Sequence, residues 1–300
     1  MTGTRRLRVL CNPTAGGGRG ARALPAVEHA LAGPGVEVRV TQTQSAEHAA
    51  GLARVAAQAG EEVVAFGGDG MVRIAAHATR GTDAVLGVLP GGRGNDFART
   101  LGIPLNPLAA CKLLVDAPVR RVDVGDVEGA TFVGVASIGL ESEVTRIANA
   151  TPRIGGPAVY AAAMIAGLVR YKPARFTLTL DGEPREFTGY LAAAANSGRF
   201  GGGMRIAPRA RVDDGVLDIV VIEHCSRLRF MLNTPKVFKG THINDPKVHL
   251  FQAAEVRLDA DRPFEVYADG DHISATPAVA RALPGALRVR APRASEQLDT

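Results

Sequence analysis

The stretch VVAFGGDGMVRIAAHA, residues 63–78, sets one carboxylate, Asp69, among three glycines, Gly67, Gly68 and Gly70, between two apolar runs. Glycine strips side chains from the backbone and lets a ligand approach it closely. A helix starting directly afterwards turns N–H groups and the positive end of its dipole toward an anion. Asp69 supplies the hard oxygen that Mg²⁺ takes, directly or through water. The chemistry this suits is the binding of a metal-bearing polyphosphate, although a bare Gly-Asp-Gly turn would read the same way. Recurrence carries the weight. VLPGGRGNDFART repeats the design after the next apolar run, with Gly91, Gly92 and Gly94 clearing the path and Asn95 and Asp96 at a helix start. There Asp96 either caps the helix or faces the same metal–phosphate group as Asp69. A third loop, CNPTAGGGRGA, follows the opening run. Its Gly16, Gly18 and Ala21 also fit the dinucleotide spacing G-x-G-x-x-[G/A]. Asn12-Pro13, however, ends the strand polar and makes the loop longer than that fingerprint needs.

The elements that must position these loops are legible up to about residue 124. RLRVLCN, VEVRVT, EEVVAFGG and AVLGVLPGG read as strands. ARALPAVEHALA (with an awkward Pro25), AEHAAGLARVAAQA, MVRIAAHAT and the stretch from NDFARTL read as helices. Such alternation implies right-handed crossovers and a mainly parallel sheet. The pattern then changes to strand-sized pieces with few helices, the exceptions being roughly 141–170 and RLRFMLNTPKVF. That suggests an antiparallel sandwich. The expected fold class is therefore α/β, an N-terminal α/β nucleotide-binding domain with a mainly parallel sheet plus a C-terminal β-sandwich domain. The domains are expected over 1–124 and 125–284, with 285–300 returning a strand to either.

A chain of 300 residues, 46% apolar and 22% charged, is ordinary for a folded protein and excludes wholesale disorder. Its net charge of +5 mildly favours anionic partners such as nucleotides or phospholipid. Nucleic acid is not among those expected. Three distant cysteines with no CxxC argue against a disulfide framework or zinc site and for the cytoplasm. The longest apolar run, AVYAAAMIAGLV, is shorter than the roughly 20 residues a spanning helix needs. The opening residues lack a signal-peptide pattern, so no transmembrane segment is expected and membrane contact would be transient and peripheral. The seven histidines show no metal-ligand spacing, and no G-x-S-x-G elbow occurs.

NPTAGGG, FGGDG, LPGGRGNDFAR, PRARVDDGVLDIVVI, PKVFKGTHINDPKV and VYADGD together resemble the diacylglycerol kinase catalytic-domain lipid kinases, in that family's order and over nearly the whole chain. The resemblance implies ATP-dependent phosphorylation of a lipid hydroxyl, with diacylglycerol giving phosphatidate as the leading case. It implies nucleotide contacts at Asn12, Gly67, Gly68, Asp69 and Gly70, and at Thr43, with Thr41 as runner-up. It implies a structural Mg²⁺ held by the Asp214 carboxylate and the main-chain carbonyls of Arg211 and Val216. A plain Asp-Gly hairpin turn is the alternative there. It implies a general base at Asp269, where a carboxylate can take the proton of an attacking hydroxyl. A local look-alike, Asp181 in LDGEPREF, reads instead as a hairpin turn. A homodimer is compatible with the sequence, which says nothing further about assembly.

The chain departs from the family's pattern at Met71 and Ile74, where Thr and Glu are usual, and at Arg93, where Thr is usual. Methionine cannot donate to phosphate, whereas Arg93 can act as a cationic phosphate clamp or obstruct the pocket. A nucleotide-binding homologue that has lost catalysis is thus the alternative function. An oxidoreductase built on GGGRGA ranks last. SRLRFMLNTPKVFKGTHINDPKVHLF mixes cations with Phe and Leu, so Arg227, Arg229, Lys236 and Lys239 either meet an anionic bilayer or line a solvated rim.

Overall fold

A computed structural model describes residues 4–149 and 166–293. The apolar run Ala158–Val169 and most of the helix expected over 141–170 therefore lie outside the described residues, apart from their ends. The chain divides into two compact units. One comprises Met1–Val124, Gly201–Gly203 and Pro284–Thr300; the other comprises Gly125–Phe200 and Met204–Leu283. The return of the glycine run 201–203 to the first unit is not foreshadowed by any pattern read above.

In the first unit β1 (Arg5–Cys11), α1 (Ala15–Leu31), β2 (Val36–Gln42), α2 (Ala46–Gln58), β3 (Glu62–Gly67), α3 (Asp69–Thr79), β4 (Val85–Pro90), α4 (Asp96–Thr100) and α5 (Pro107–Asp116) alternate along the chain. The strands pair in parallel in the order β2-β1-β3-β4. Buried on both faces, β3 and β4 are nearly continuous apolar runs, as parallel strands under helices must be. Register aligns the carboxyl ends: Cys11 stands beside Gln42 and Phe66, and Gly67 beside Pro90. The connections leave β1 toward β2 on one side and reach β3 on the other. That makes the β1/β3 junction the topological switch point where open α/β sheets bind ligands. At the opposite end, Glu62 takes bidentate hydrogen bonds from both Arg5 and Arg290 at 2.7–3.0 Å. Burial works to raise this carboxyl, but the two guanidiniums outweigh it and hold it below the usual range.

The second unit takes β5 (Val119–Val127) from the first and adds β6 (Ala130–Phe132), β7 (Val135–Gly139), α6 (Leu140–Asn149), β8 (Ala174–Leu180), β9 (Glu183–Ala195), β10 (Leu217–Glu223), α7 (Arg227–Asn233), α8 (Lys236–Lys239), β11 (Val248–Ala253), β12 (Glu255–Ala260), β13 (Glu265–Ala268), β14 (Asp271–Ala275) and β15 (Ala278–Arg290). The long β9 changes partners along its length. Its first half pairs with β8, and its second half lies between β7 and β10. Gly189 marks the change, where a Cβ would fall 2.3 Å from the Ile222 carbonyl oxygen. Alternate residues of both halves, such as Phe176, Leu178, Ala192, Ala194, Ile219 and Val266, fill one core. Leu191, Ala193, Val220 and Val237 form a second core on the other face. The result is a β-sandwich-like unit, as the strand-rich pattern implies. Residues 284–290 of β15 then belong to the first unit, where Arg288 and Val289 pair in parallel with Val85 and Leu86 of β4.

Candidate functional site

Within the first unit the three glycine loops follow β1, β3 and β4 and touch one another. A Cβ on Gly92 would fall 2.4 Å from the Gly68 Cα, and one on Gly16 would fall 2.4 Å from the Gly91 carbonyl oxygen. The N–H groups of Gly91 and Gly92 donate to the Gly67 carbonyl at 2.8 and 3.1 Å. Much of the glycine content is thus required by backbone packed on backbone. Gly70 is different: its φ is not positive and nothing lies within 4 Å of the space a Cβ would take. Neither packing nor conformation demands glycine at position 70.

Asp69 joins two of the loops. Its Oδ2 accepts the Asn95 N–H at 2.9 Å and its Oδ1 the Asp96 N–H at 2.8 Å. It thereby caps α4, whose N-cap residue Asn95 is left-handed (φ 54°) and makes no side-chain cap of its own. Asn95 instead braces its loop, accepting from the Gly92 N–H and donating to the Gly92 carbonyl, both at 3.0 Å. Capping by Asp96, one of the two options above, does not occur. The buried Asp96 turns its Oδ2 to the Gly202 N–H at 2.7 Å. Its Oδ1 is buried without a hydrogen-bond partner. Burial, with the Asp69 charge adding to it, pushes this carboxyl up from its ordinary range. Gly202 is a participant that the sequence reading missed, and its only signal is the run Gly201-Gly202-Gly203.

Asn12 closes a tight turn, its Oδ1 accepting from the Thr14 N–H and hydroxyl at 3.0 and 2.9 Å. Gly16, Gly17 and Gly18 all take left-handed φ before α1 settles into regular helix. Thr43 is buried beside the end of β1, donating both its N–H and its hydroxyl to the Cys11 carbonyl. Arg93 is exposed, and no ion pair involves it among the described residues. Met71 is buried and lies against Gly67, where an added Cβ would meet its own Cβ at 2.9 Å. The side chain at position 71 therefore points into the protein. Each Asp69 oxygen keeps acceptor capacity beyond its one backbone donor, and the unpartnered Asp96 oxygen offers another. This donor set fits Mg²⁺ held through water.

In the second unit Asp269 links β13 to β14 with φ 51°. Its Oδ1 accepts from Gly134 and Val135 at 2.9 and 3.1 Å, and its Oδ2 from Val133 at 2.8 Å. Asp181 has the same left-handed Asp-Gly conformation, and its carboxylate accepts from Ala254 and Glu255. It joins β8 to β9, so the hairpin reading of LDGE agrees with the structure. Local conformation alone therefore does not separate the two aspartates. Asp214 accepts the Val216 N–H at 3.3 Å, in a bend preceding β10 that is not a two-strand hairpin. Arg211 bonds Asp213 at 3.1 Å. Asp218, two residues into β10, was not singled out above although it is a carboxylate in an inward run. Its Oδ2 is buried without a partner, and burial aided by the Asp214 charge pushes its carboxyl up to about 6. A cation at Asp214 would offset the charge that helps to raise Asp218. Among the described residues no three His, Cys, Asp or Glu side chains form a metal cluster, so such a site would need backbone carbonyls.

Residues 6–127 match the profile of the diacylglycerol kinase catalytic domain, and residues 134–291 match that of the YegS C-terminal NAD kinase beta sandwich-like domain. A protein of Mycobacterium tuberculosis named diacylglycerol kinase is 35% identical over 296 residues, 96% of each chain. The chain belongs to the diacylglycerol kinase catalytic-domain family of lipid kinases. Another relative, named a probable lipid kinase YegS-like protein, from Chromohalobacter salexigens, is 32% identical over 83% of this chain and 82% of its own. A crystal structure of a putative diacylglycerol kinase from Bacillus anthracis superposes with a TM-score of 0.82 at 26% identity, over 98% of this chain and 97% of that one. The family match spans both units, and no helix among the described residues is long and apolar enough to cross a membrane.

Proposed function

We propose that the chain is an ATP-dependent lipid kinase that transfers the γ-phosphoryl group to a lipid hydroxyl, diacylglycerol being the favoured acceptor and phosphatidate the product. One observation carries the reading: three glycine loops pack together at the carboxyl edge of a parallel sheet, at its switch point, and leave Gly70 open. The first turn of α3 adds N–H groups without intrahelical partners, and no side chain caps that helix. Asn12, Thr43 and Gly67 to Gly70 line the nucleotide in this reading, and exposed Arg93 clamps its phosphates. Asp69, braced by α4, and Asp96 would hold Mg²⁺ and its waters. When bound, Mg²⁺ neutralises charge developing on the transferred phosphoryl group. Asp269 takes the proton of the lipid hydroxyl as the new O–P bond forms and the bond to the ADP oxygen breaks. Asp214, with the carbonyls of Arg211 and Val216, would hold a second, structural Mg²⁺. The lipid is reached at a membrane surface by a chain of cytoplasmic residence.

A second reading, a nucleotide-binding homologue without turnover, draws support from Asp269, whose carboxylate accepts three backbone N–H groups. Labelled ATP offered with a panel of lipids in mixed micelles distinguishes the two. Label in phosphatidate, abolished by Asp69→Asn, is the expected result. ATP binding without transfer to any lipid supports the second reading, and absence of both overturns the kinase assignment.

A further inference from the structure

We infer that α7 and α8 of the second unit form a docking face for a bilayer carrying anionic headgroups. Not one residue of α7 is buried. Its inward side is served by Phe230, whose ring packs on Tyr190 with centroids 4.8 Å apart. Leu228, Met231 and Leu232 follow the i, i+3, i+4 spacing that lines one helix face, and they are 67%, 50% and 65% exposed. Phe238 of α8 is 55% exposed. Four of the ten exposed large hydrophobic side chains among the described residues thus fall within eleven positions, and three of them form a stripe aimed at solvent. Val237 anchors the segment to the outer core of the sandwich, so the stripe sits on a fixed support.

The charge around the stripe is predominantly positive. Between Glu223 and Asp245 the chain carries four Lys and Arg residues and no acid. Arg229 is held by Asp245 through hydrogen bonds of 2.8 and 3.1 Å, which removes it from the set of four cations considered above. Arg227, Lys236 and Lys239 are exposed and make no ion pair among the described residues. Arg205, beside α8 through its N–H bond to the Val237 carbonyl, extends the positive rim. Solvent-facing leucines and phenylalanine flanked by unopposed cations match a headgroup layer over an acyl boundary. A protein partner matching this rim would be acidic, and the segment between Glu223 and Asp245 offers a second copy of itself no carboxylate.

The inference rests on the lipid-kinase reading only for its biological sense, and the test keeps the two apart. The full-length protein is sedimented, without ATP, with phosphatidylcholine vesicles lacking or containing phosphatidylglycerol. Wild type is expected to bind the anionic vesicles, less at high salt. Lys236→Gln and Lys239→Gln are each expected to lower the partition constant about fivefold, and Leu228→Ser with Leu232→Ser about tenfold or more. Circular dichroism and thermal midpoint should not change, because these side chains are exposed. Phosphoryl transfer to a short-chain, water-soluble diacylglycerol should stay at the wild-type level in all these variants. Vesicle binding that is absent in wild type, or unchanged in the variants, overturns the inference even if kinase activity is found. So does a dimer in solution that the leucine substitutions break apart. Vesicle binding with no kinase activity leaves the docking face standing and sinks the enzyme reading alone.

Discussion

Gly70 offers a test in which stability and ligand binding are expected to move in opposite directions. It is the second residue of α3, without positive φ and with open space where a Cβ would be. Replacing a helical glycine by alanine lowers the entropy of the unfolded chain and stabilises by up to about 0.5–1 kcal/mol. In a chain this long that raises the melting point by about 1–3 °C. If a polyphosphate lies against this backbone, the added methyl displaces it, and overpacking of this kind costs about 1–3 kcal/mol. ATP affinity should then fall by about tenfold or more. Gly92→Ala is the control. There the methyl would meet the Gly68 Cα at 2.4 Å and the Asn95 Oδ1 at 3.1 Å, so backbone must shift. The protein should lose about 2–4 kcal/mol of stability whether or not nucleotide is present. Thermal melts and calorimetric titration with ATP read both quantities. Gly70→Ala with wild-type affinity would refute the claim that this opening receives the phosphates.

Three further outcomes are expected. Asp269→Asn should lower lipid phosphorylation at least a hundredfold while calorimetry shows ATP binding retained. Equal losses of activity and fold would mark the residue as structural. Glu62→Gln should cost about 3 kcal/mol near pH 7 in urea melts, because it leaves two guanidiniums short of a partner. The Glu62 carboxyl is depressed in the folded state, so its contribution is present above the unfolded value of 4.5 and fades as pH falls through the folded one. The gap between wild type and variant should therefore narrow in acid, and a gap independent of pH would contradict the assignment. Finally, Mg²⁺ at a hundred times its dissociation constant should stabilise by about 2.7 kcal/mol. EDTA should abolish the gain and Asp214→Ala should reduce it; an undiminished gain in that variant refutes the second-unit site.

The parallel half of the fold was readable because β3 and β4 are buried runs ending in glycine or proline and β1 runs directly into Asn12-Pro13, so strand, loop and helix announce themselves in turn. The positions of Asn12, Thr43, Asp69 and Asp96 near strand ends follow from the same rule. What could not be read is which way each carboxylate turns. Asp69 and Asp96 are neighbours in chemistry, yet one caps α4 and the other reaches a glycine more than a hundred positions later. That contact depends on tertiary placement of 201–203, to which local pattern is blind. The glycines were legible as special but not the reason: several are there for loop-on-loop contact. Asp218 was invisible because an acid at the second position of LDIVVIE does not disturb the strand pattern. Met71 showed only a missing hydroxyl, whereas its burial reveals that the position faces inward.

The strand that completes the first sheet is made last. Residues 284–290 are synthesised after all of the second unit, and they bring the fully buried Leu287 and Val289 together with Arg290, one of the two partners of Glu62. A nascent chain halted at residue 124 would show water a bare flank of Val85–Pro90 and half an ionic clasp. Exposed strand flanks of that kind recruit other chains. Attempts to express the nucleotide-binding half by simple truncation should accordingly give aggregates, whereas a version in which residues 284–293 are spliced on after 124 regains the missing strand and the second guanidinium on Glu62.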